Sequence, residues 1–462
     1  MKFHRFEVPG LSHYSYLVGC GGKAVIVDPK RDVDTYISYA AGAGLKITHI
    51  LETHIHADFA SGALELAEET GAQLWLSNHD DGEHFQYRFP HNKFSDGEDL
   101  RVGNVRLTAL HTPGHTPEHL SFLIYDENRC SQPKALLSGD FVFVGSLGRP
   151  DLLGEGAKRK LAESLFESVH RKIAGLPDGL EICPAHGAGS MCGSGMSESA
   201  QSTLGYERVS NIYFADRDRQ KFVDRILGTV PPFPDYYRRM KQVNSDGPAL
   251  LRGLPGDRAL ELQDFRGEVN VEGAVVVDLR RPEAFGGAHI PGSFNIGAGP
   301  SLSTWAAWAL PYGSLIFLVG DERSDYREAI RSLIRVGLDD IRGYLQGGIR
   351  TWIEAGLPQD HVPQISVEEL ARRIEKNAYV LDVRGDNEWN SGHIGSAAHI
   401  MAGELAQRAH ELPRNERIHA ICGSGYRSSL ATSILKRSGL NEVVNVSGGM
   451  GGWNAMKFPV VR

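Results

Sequence analysis

The sequence predicts a multidomain protein of mixed α/β and α+β class, in which one large N-terminal domain precedes two smaller α/β domains. Three observations support this prediction. The 462 residues are too many for one ordinary hydrophobic core. The second half contains two similar stretches, at 275–296 and 379–400, and the first half alternates strands with loops rich in histidine and acidic residues. Hydrophobic residues make up 41% and charged residues 23%, which is typical of a globular protein.

Charge and composition exclude several classes of function. The net charge of −8 is modest and no basic cluster stands out, so we expect no nucleic-acid partner. No apolar run reaches the roughly 18 residues of a membrane span, and the N-terminal segment lacks the apolar core of a signal peptide. We therefore expect a cytoplasmic protein without a membrane partner. The five cysteines show no CxxC spacing, which argues against a disulfide framework or a zinc finger.

The first 245 residues predict a sheet-rich domain. Two hairpin-like strands, SYLVG and AVIVD, come first, and THILETHIHADFASGALELAEETGA then predicts a strand, a His-rich loop and a helix. Further strands are predicted at QLWLS, VRLTAL, LSFLIY and ALLSGDFVFVG, and a helix near 157–174 precedes the strand LEICPAH. The histidines and acids follow strand ends, where functional residues usually occur.

Residues that can bind a metal recur on these loops. The strongest motif is THIHADF, at positions 53–59, and further candidates are His115 in HTPGHTPEH, Asp140 in LLSGDFVF and His186 in CPAHG. Imidazole and carboxylate ligands on successive strand-end loops suit a first-row divalent metal. A single histidine is more often a packed or surface residue, but so many on suitable loops predict a metal site.

Two copies of one α/β unit account for the second half. Each copy predicts a buried strand that ends in an aspartate (Asp278 or Asp382), then a short helix and a turn containing His-Ile. The likeness extends to LRGLPGD and QISVEEL before these stretches, and to LQGGIRTW and VSGGMGGW after them. We place the units at 246–358 and 362–462, each built on a parallel sheet. Both aspartates are expected to form scaffold ion pairs.

A reactive thiol is predicted only in the second copy. Strand HAIC ends at Cys422, and the glycines of the following GSGYR let backbone N–H groups form an anion nest at a helix N-terminus. With Arg427 nearby, these donors are expected to lower the pKa of the thiol and to stabilise a thiolate or persulfide. The matching loop of the first copy has Gly320 or Asp321 at the cysteine position. A structural, docking or substrate-shaping role is expected for that copy.

The N-terminal motif resembles the HxHxDH motif of the metallo-β-lactamase superfamily, and the resemblance covers roughly residues 1–240. It implies an αββα sandwich with metals at the sheet edge. In the dinuclear hydrolases of that family, the first two motif histidines serve one metal, and the aspartate and last histidine serve the other. Here the last position is Phe59, whose ring cannot bind a metal. The second metal site is therefore expected to be lost.

The remaining residues resemble the mononuclear iron site of the persulfide dioxygenases in this superfamily. Such enzymes oxidise the outer sulfur of a low-molecular-weight thiol persulfide to sulfite and release the thiol. The resemblance implies one Fe(II) per chain, in a two-histidine, one-carboxylate site that leaves positions open for O2 and sulfur. The implied ligands are His54, His115 and Asp140. The residues implied to orient them through hydrogen bonds are His56, Asp58 and His186.

Two further residues match positions in persulfide dioxygenases. Arg149 matches one that binds an anionic thiol substrate, with a salt bridge as the alternative. Cys192 matches a cysteine implicated in handling persulfide near the iron in bacterial persulfide dioxygenase–rhodanese fusions, with an inert small residue as the alternative. No tyrosine directly follows His186, although glutathione-using relatives carry one. The carrier thiol therefore stays open among coenzyme A, bacillithiol, glutathione and cysteine.

The last unit resembles rhodanese. Four residues separate Cys422 from Arg427, one fewer than in related protein phosphatases, which gives the tighter loop of a sulfurtransferase. The match includes LDVR (381–384), GHI (392–394) and GGMGGW (448–453). It implies catalysis by Cys422 and Arg427. The residues implied to bind substrate are Gly423, Ser424, Gly425 and Tyr426.

The two resemblances together imply an enzyme of sulfide detoxification. A persulfide and O2 would give sulfite at the iron, and the rhodanese would make or use thiosulfate, in an order that the sequence does not fix. A homo-oligomer is expected, since the family tends towards dimers or tetramers. One alternative is a zinc-dependent thioester hydrolase of the glyoxalase II type fused to rhodanese, against which Phe59 argues. The other is a persulfide carrier or sensor, against which the intact ligand set argues.

Overall fold

The computed structural model describes residues 1–230 and 233–462. The chain divides into two compact units, one of Met1–Arg252 with Ile334–Gly337 and one of Gly253–Leu333 with Leu338–Arg462. The domain limits given above stay predictions. Among the helices of the described ranges, none is both long and apolar enough to cross a bilayer.

Two six-stranded sheets form the first unit, and in both sheets strands that follow each other along the chain are neighbours. The strands of the first sheet are β1 (Lys2–Val8), β2 (His13–Cys20), β3 (Lys23–Val27), β4 (Lys46–Leu51), β5 (Gln73–Ser77) and β6 (Asn92–Phe94). Those of the second are β7 (Asp99–Val102), β8 (Val105–His111), β9 (Leu120–Asp126), β10 (Ala135–Gly139), β11 (Glu181–Pro184) and β12 (Ser202–Thr203). The helices are α1 (Asp34–Gly42), α2 (Ala63–Thr70), α3 (Glu155–Glu167), α4 (Leu204–Ser210), α5 (Ile212–Ala215), α6 (Arg219–Thr229) and α7 (Tyr236–Asp246).

Alternation along β3 shows how the layers pack. Val25 and Val27 belong to the core between the two sheets, whereas Ala24 and Ile26 belong to the core under α1 and α2, because successive side chains of a strand point to opposite faces. The second sheet likewise packs its other face against α3 and α6. The layers are therefore helix, sheet, sheet and helix, and the predicted αββα sandwich is confirmed.

Strand β10 ends earlier than predicted, and its end positions a candidate ligand. The sequence predicts a strand through ALLSGDFVFVG, but Gly139 adopts a φ of +54°, a left-handed conformation that favours glycine. A Cβ at this position would lie 2.5 Å from His119 Nε2 and 2.7 Å from Thr53 Oγ1. The backbone therefore turns out of the ladder at Gly139 and presents Asp140 in a loop.

Two five-stranded parallel sheets form the second unit, in the orders β13-β17-β16-β14-β15 and β18-β22-β21-β19-β20. The first holds β13 (Ala259–Leu260), β14 (Ala274–Asp278), β15 (Phe294–Asn295), β16 (Leu315–Val319) and β17 (Ile341–Leu345), with α8 (Leu262–Glu268), α9 (Pro282–Gly287), α10 (Leu302–Ala309), α11 (Tyr326–Ile334) and α12 (Gly348–Glu354). The second holds β18 (Gln364–Ile365), β19 (Tyr379–Asp382), β20 (Ala397–His399), β21 (Ile418–Ile421) and β22 (Val443–Val446), with α13 (Val367–Ile374), α14 (Asp386–Ser391), α15 (Leu405–Arg408), α16 (Tyr426–Arg437) and α17 (Gly449–Ala455). The equal strand orders confirm the predicted duplication of one α/β unit.

Candidate metal centre and thiol site

Three buried side chains of the first unit bring one donor atom each within 4.8 Å of one another: His54, His115 and Asp140. The Nε2 atoms of His54 and His115 lie 3.8 and 3.6 Å from Asp140 Oδ2. None of these three atoms has a hydrogen-bond partner within residues 1–230 and 233–462. Because a buried polar atom without a partner is costly, the donor set fits a bound cation.

Hydrogen bonds at the opposite ring nitrogens prepare both imidazoles for a metal. His115 Nδ1 lies 2.8 Å from the carbonyl oxygen of Arg149, so this nitrogen carries the proton and donates. His54 Nδ1 lies 2.9 Å from Thr53 Oγ1, whose hydroxyl donates to Asp28. Each Nε2 therefore keeps its lone pair. Burial, with a smaller contribution from the Lys241 ammonium, lowers the pKa of His54 and His115 well below the usual 6.5, which keeps both rings neutral.

Asp140 is held from two directions. His186 Nδ1 lies 2.7 Å from Asp140 Oδ1, so one carboxylate oxygen is occupied and the other faces the two histidines. His119 Nε2 accepts the Asp140 backbone N–H at 3.1 Å, and its Nδ1 lies 2.9 Å from Thr112 Oγ1. His119 stands in the same HTPGHTPEH segment as His115, and that shared segment is the only signal in the sequence that points to its role.

His56 lies outside the three-donor group. Its Nε2 lies 3.2 Å from Asp28 Oδ1, and the same carboxylate accepts the backbone N–H and the hydroxyl of Thr53 at 2.7 and 3.0 Å. Asp28 therefore links His56 to the loop that carries His54. The signal in the sequence that points to Asp28 is its position directly after the predicted strand AVIV.

Residues far along the chain hold the THIHADF loop in place. The Glu118 carboxylate accepts the N–H of Ile55 at 2.9 Å, and the Lys241 ammonium donates to the carbonyl of Ile55 at 2.9 Å. Asn244 donates to two further carbonyls of this loop at 2.9 and 2.7 Å. Lys241 and Asn244 lie on α7, a helix that the sequence analysis did not predict. These residue types give no local signal of their role, because they act on backbone atoms more than a hundred residues away along the chain.

A second buried cluster lies beside the first and consists of Asp58, His186 and Cys192, whose donor atoms also lie within 4.8 Å of one another. His186 Nε2 lies 2.8 Å from Asp58 Oδ2, so this imidazole joins the carboxylates of Asp58 and Asp140. Phe59 is fully buried and supplies no donor, as predicted. Cys192 brings a thiol to Asp58 and His186, so three ligand-type groups meet here although Phe59 supplies none, and the expected loss of the second metal site stays a prediction.

Phe59 packs among imidazoles. Its ring centroid lies 4.2 Å from that of His13 and 4.5 Å from that of His56. His13 is buried, and in the described ranges neither of its ring nitrogens has a hydrogen-bond partner. Burial, together with the neighbouring histidines, lowers the pKa of His13 well below 6.5, so its ring is neutral.

Arg149 forms the salt bridge that was the alternative to substrate binding. Its Nε and Nη2 donate to the two Asp151 oxygens at 2.7 and 2.8 Å, and its Nη1 donates to the Met191 carbonyl at 3.0 Å. Its backbone N–H donates to the carbonyl of Cys192 at 3.0 Å. Arg149 therefore supports the loop that carries Cys192, and its contact with substrate stays a prediction.

Burial and two nearby carboxylates raise the pKa of the Cys192 thiol well above its usual 9.0, which disfavours a thiolate.

In the second unit, the thiol of Cys422 lies at the end of β21 and before α16. Its Sγ accepts the backbone N–H of Gly425 at 3.1 Å and lies 3.4 Å from Ser428 Oγ. Gly425 adopts a φ of +110°, which turns its N–H towards the sulfur. Gly425 thus gives one inward-facing backbone donor at the N-terminus of a twelve-residue helix, and the roles expected of Gly423 and Ser424 stay predictions.

Arg427 forms a bidentate ion pair with a carboxylate beside the thiol loop. Its Nη1 and Nη2 donate to the two carboxylate oxygens of Glu388 at 2.5 and 2.7 Å. Its guanidinium carbon also lies 5.9 Å from the centre of the Trp305 ring, which belongs to the cysteine-free copy. The stabilisation of a thiolate by Arg427 stays a prediction, and no motif in the sequence points to Glu388.

The cysteine-free copy contacts the helix that follows the thiol loop. The Tyr426 hydroxyl donates to the Gly297 carbonyl at 2.8 Å, and the Ser429 hydroxyl donates to Asn295 Oδ1 at 2.5 Å. The hydroxyl of Tyr426 is therefore occupied by this copy, and its predicted contact with substrate stays a prediction. One role of the first copy is to support α16.

Comparisons with known proteins match both halves of the chain. The family model of the metallo-β-lactamase superfamily matches residues 8–193, and that of the rhodanese-like domain matches residues 260–355 and 366–456. A crystal structure of a metallo-β-lactamase from Staphylococcus aureus is 38% identical, with a TM-score of 0.66, and the match covers 75% of this chain and 98% of that chain. Hydroxyacylglutathione hydrolase GloC from Haemophilus influenzae is 28% identical over 204 residues, which are 41% of this chain and 85% of that protein. ETHE1 from Myxococcus xanthus is 25% identical over 53% of this chain and 98% of that chain, with a TM-score of 0.45.

Proposed function

Because the chain belongs to the metallo-β-lactamase superfamily and carries two rhodanese-like domains, we propose that it is a persulfide dioxygenase joined to a sulfurtransferase. The first unit oxidises the outer sulfur of a low-molecular-weight thiol persulfide to sulfite. Cys422 of the second unit moves sulfane sulfur between thiols, sulfite and thiosulfate. The physiological setting of this proposal is the removal of sulfide.

One observation carries the dioxygenase proposal: the buried donor set of His54, His115 and Asp140 contains two imidazoles and one carboxylate, all with unpartnered donor atoms. This set is typical of mononuclear iron oxygenases, which leave several coordination positions open. Phe59 stands where a dinuclear hydrolase of the superfamily would carry a further histidine. An Fe(II) bound by these three residues would supply adjacent positions for O2 and for the persulfide sulfur.

Hydrogen bonds from surrounding residues fix the tautomers of the two histidines and the orientation of the Asp140 carboxylate. Carbonyl and hydroxyl acceptors fix the protons of His115 and His54 on Nδ1, so both rings present Nε2 to the cation. His186 holds one oxygen of Asp140, which leaves the other oxygen for the metal. In the balanced reaction, the outer persulfide sulfur takes up two oxygen atoms from O2 and one from water, and the thiol leaves with a proton.

The second half of the proposal rests on the thiol loop. The Cys422 thiolate attacks a sulfane sulfur, a new S–S bond forms, and the thiol of the donor leaves with the electron pair of the broken S–S bond. Attack of sulfite on the outer sulfur of the resulting Cys422 persulfide gives thiosulfate. Because one polypeptide carries both activities, their shared intermediates are kept at a high local concentration.

The test is oxygen uptake by the full chain after anaerobic reconstitution with Fe(II). We expect uptake with a thiol persulfide and sulfite as the product. Asp140→Ala removes one of three ligands, so iron binding and uptake should both be lost. Asp140→Ala should still transfer sulfur at Cys422, and Cys422→Ser should still consume oxygen. Iron-loaded wild-type protein that takes up no oxygen would refute the dioxygenase.

The cluster of Asp58, His186 and Cys192 supports a second candidate function, a two-metal thioester hydrolase. This candidate agrees with the likeness of the first unit to a hydroxyacylglutathione hydrolase. Metal analysis of protein purified without added metal separates the two. About one iron per chain is expected from the dioxygenase, whereas two zinc ions per chain with hydrolysis of a glutathione thioester would favour the hydrolase.

A further inference from the structure

A carboxylate stands beside the thiol loop although the proposed substrates are anions. Glu388 Oε1 lies 3.8 Å from the place where a Cβ on Gly423 would be. The same carboxylate binds both terminal nitrogens of Arg427, whose side chain is 20% exposed. The hydrogen bonds from Arg427 lower the pKa of Glu388 below its usual 4.5, so the carboxylate is ionised at neutral pH. The negative charge of Glu388 therefore offsets the positive charge of Arg427 beside the loop to which the substrate would bind.

The cysteine-free copy shows that the fold does not require this pair. Glu388 lies six residues after Asp382, and the residue six after Asp278 in the first copy is Ala284. Helices α11 and α16 both begin with Tyr-Arg, and Arg327 of α11 forms its ion pair with Asp257 instead. The same strand order therefore forms without a carboxylate at this position. The ion pair of Glu388 and Arg427 is thus present in the domain that has the thiol and has no counterpart in the domain that lacks it.

Capping of α14 does not account for Glu388. The backbone N–H of Gly385 lies 3.4 Å from Glu388 Oε2, a long contact at the start of a six-residue helix. The two contacts with Arg427, at 2.5 and 2.7 Å, are shorter and bidentate. The carboxylate thus acts mainly on the guanidinium, which is also held near the Trp305 ring.

We propose that Glu388 is a specificity-determining residue of the Cys422 site, which disfavours dianionic sulfur oxyanions relative to thiol persulfides by neutralising Arg427. A guanidinium without a carboxylate partner would attract thiosulfate and sulfite about twice as strongly as a monoanionic persulfide, because Coulomb energy scales with charge. The Glu388 carboxylate cancels most of the charge of Arg427, so the site loses this preference for dianions over monoanions. The proposal rests on the proposed sulfurtransferase activity and names the substrate class that this site prefers.

Both half-reactions involve the same bonds at Cys422. With thiosulfate, the Cys422 thiolate attacks the sulfane sulfur, and sulfite leaves with the electron pair of the S–S bond. With a thiol persulfide, a thiolate leaves in its place. The sulfur-transfer step neither gains nor loses electrons overall, so the two donors differ at this site mainly in the charge and size of the leaving group.

The test compares donors in single-turnover reactions of the full chain, with the gain of one sulfur atom on Cys422 followed by mass spectrometry. For Glu388→Gln, we expect the apparent second-order rate constant with thiosulfate to rise about fivefold, while that with a cysteine persulfide changes less than twofold. High salt should reduce the gain with thiosulfate, since added ions screen the partly exposed guanidinium. Glu388→Asp, which restores the charge, should return the ratio of the two rate constants towards that of the wild type.

Glu283→Gln is the matched control, since Glu283 is an exposed carboxylate on the corresponding helix of the cysteine-free copy. It should leave the ratio unchanged. If Glu388→Gln slows both donors equally, or leaves their ratio unchanged, Glu388 has only a structural role and the inference is wrong. If the wild type gains sulfur from neither donor, the sulfurtransferase proposal itself fails.

Discussion

The two rhodanese-like domains repeat the same buried ion pair at matching positions. In the first, Arg280 binds Asp278 through Nε and Nη2 at 2.9 and 2.6 Å. In the second, Arg384 binds Asp382 at 3.0 and 2.7 Å. In both, the arginine also donates to a backbone carbonyl after the short helix, that of Ala288 or Gly392. This pair is common to a domain with a thiol and one without, so it belongs to the scaffold, as the sequence analysis expected.

Aromatic contacts repeat in the same way. The indole N–H of Trp352 donates to the Pro358 carbonyl at 2.8 Å, and that of Trp453 donates to the Pro459 carbonyl at 3.0 Å. A ring on the short helix stacks on the histidine of the following turn in both domains, at centroid distances of 3.7 and 3.4 Å. These contacts tie the last helix and the turn of each domain into its core.

The domains differ at the loop after the central strand. Four residues separate β21 from α16 and begin with Cys422, whereas six residues separate β16 from α11 and begin with Gly320. The carbonyls of Cys422 and Gly320 accept corresponding N–H groups, from Met450 at 2.7 Å and Ile349 at 3.0 Å. The structure thus identifies Gly320, and not Asp321, as the counterpart of the cysteine. The repeated contacts are therefore assigned to the fold, whereas the bidentate pair of Glu388 and Arg427 is found beside the thiol of the second domain.

The largest effect expected from this comparison is that of Cys422→Ser. A serine hydroxyl is a weak nucleophile without a base to activate it, so sulfur transfer should fall roughly a thousandfold or more. Transfer from thiosulfate to cyanide measures it. Cys130→Ser is the control, because Cys130 is an exposed thiol outside both sites. Substantial activity in Cys422→Ser would show that another group accepts the sulfur.

A smaller effect, on stability, is expected when the repeated ion pair is broken, and it should be the same in both domains. Asp278→Ala and Asp382→Ala each leave a buried guanidinium without its carboxylate, at a cost of about 3 kcal/mol in the stability of the domain. Urea unfolding followed by tryptophan fluorescence compares the two variants. If Asp382→Ala abolished sulfur transfer while the domain stayed as stable as the wild type, Asp382 would be part of the reaction centre and the comparison would fail.

Local patterns in the sequence predict the strands, through alternating apolar residues, and a metal site, through ligand-type residues in the loops that follow those strands. The αββα layers and the set of His54, His115 and Asp140 are implied by the resemblance to the metallo-β-lactamase superfamily. Strand β1 was missed, although it pairs along its whole length with β2. Its residues, KFHRFEV, mix charged and aromatic side chains and are only partly buried, so they carry no strong periodic signal.

The parts of the sites that the sequence does not predict come from residues distant along the chain. Glu388 reaches Arg427 across 39 positions, and Lys241 reaches the THIHADF loop across 186. Neither residue belongs to a motif, and charged side chains are normally solvated surface residues. Cys192 was recognised, but its approach to Asp58 depends on how the loop after β11 folds back, which no local pattern specifies.

The smallest effect, and the sharpest test of the comparison, is that of Gly320→Cys. A thiol placed at the counterpart of Cys422 would restore activity if the first domain lacked only its nucleophile. The structure predicts otherwise, since a Cβ on Gly320 would lie 2.5 Å from the Cβ and 2.2 Å from the Oγ of Ser324, in a loop of six residues instead of four. We expect a loss of about 1–2 kcal/mol in stability from the steric conflict, and no sulfur transfer when Gly320→Cys is made in the Cys422→Ser background. Activity in that double variant above that of Cys422→Ser alone would show that the shape of the loop is adaptable, and that the missing sulfur is what separates the two domains.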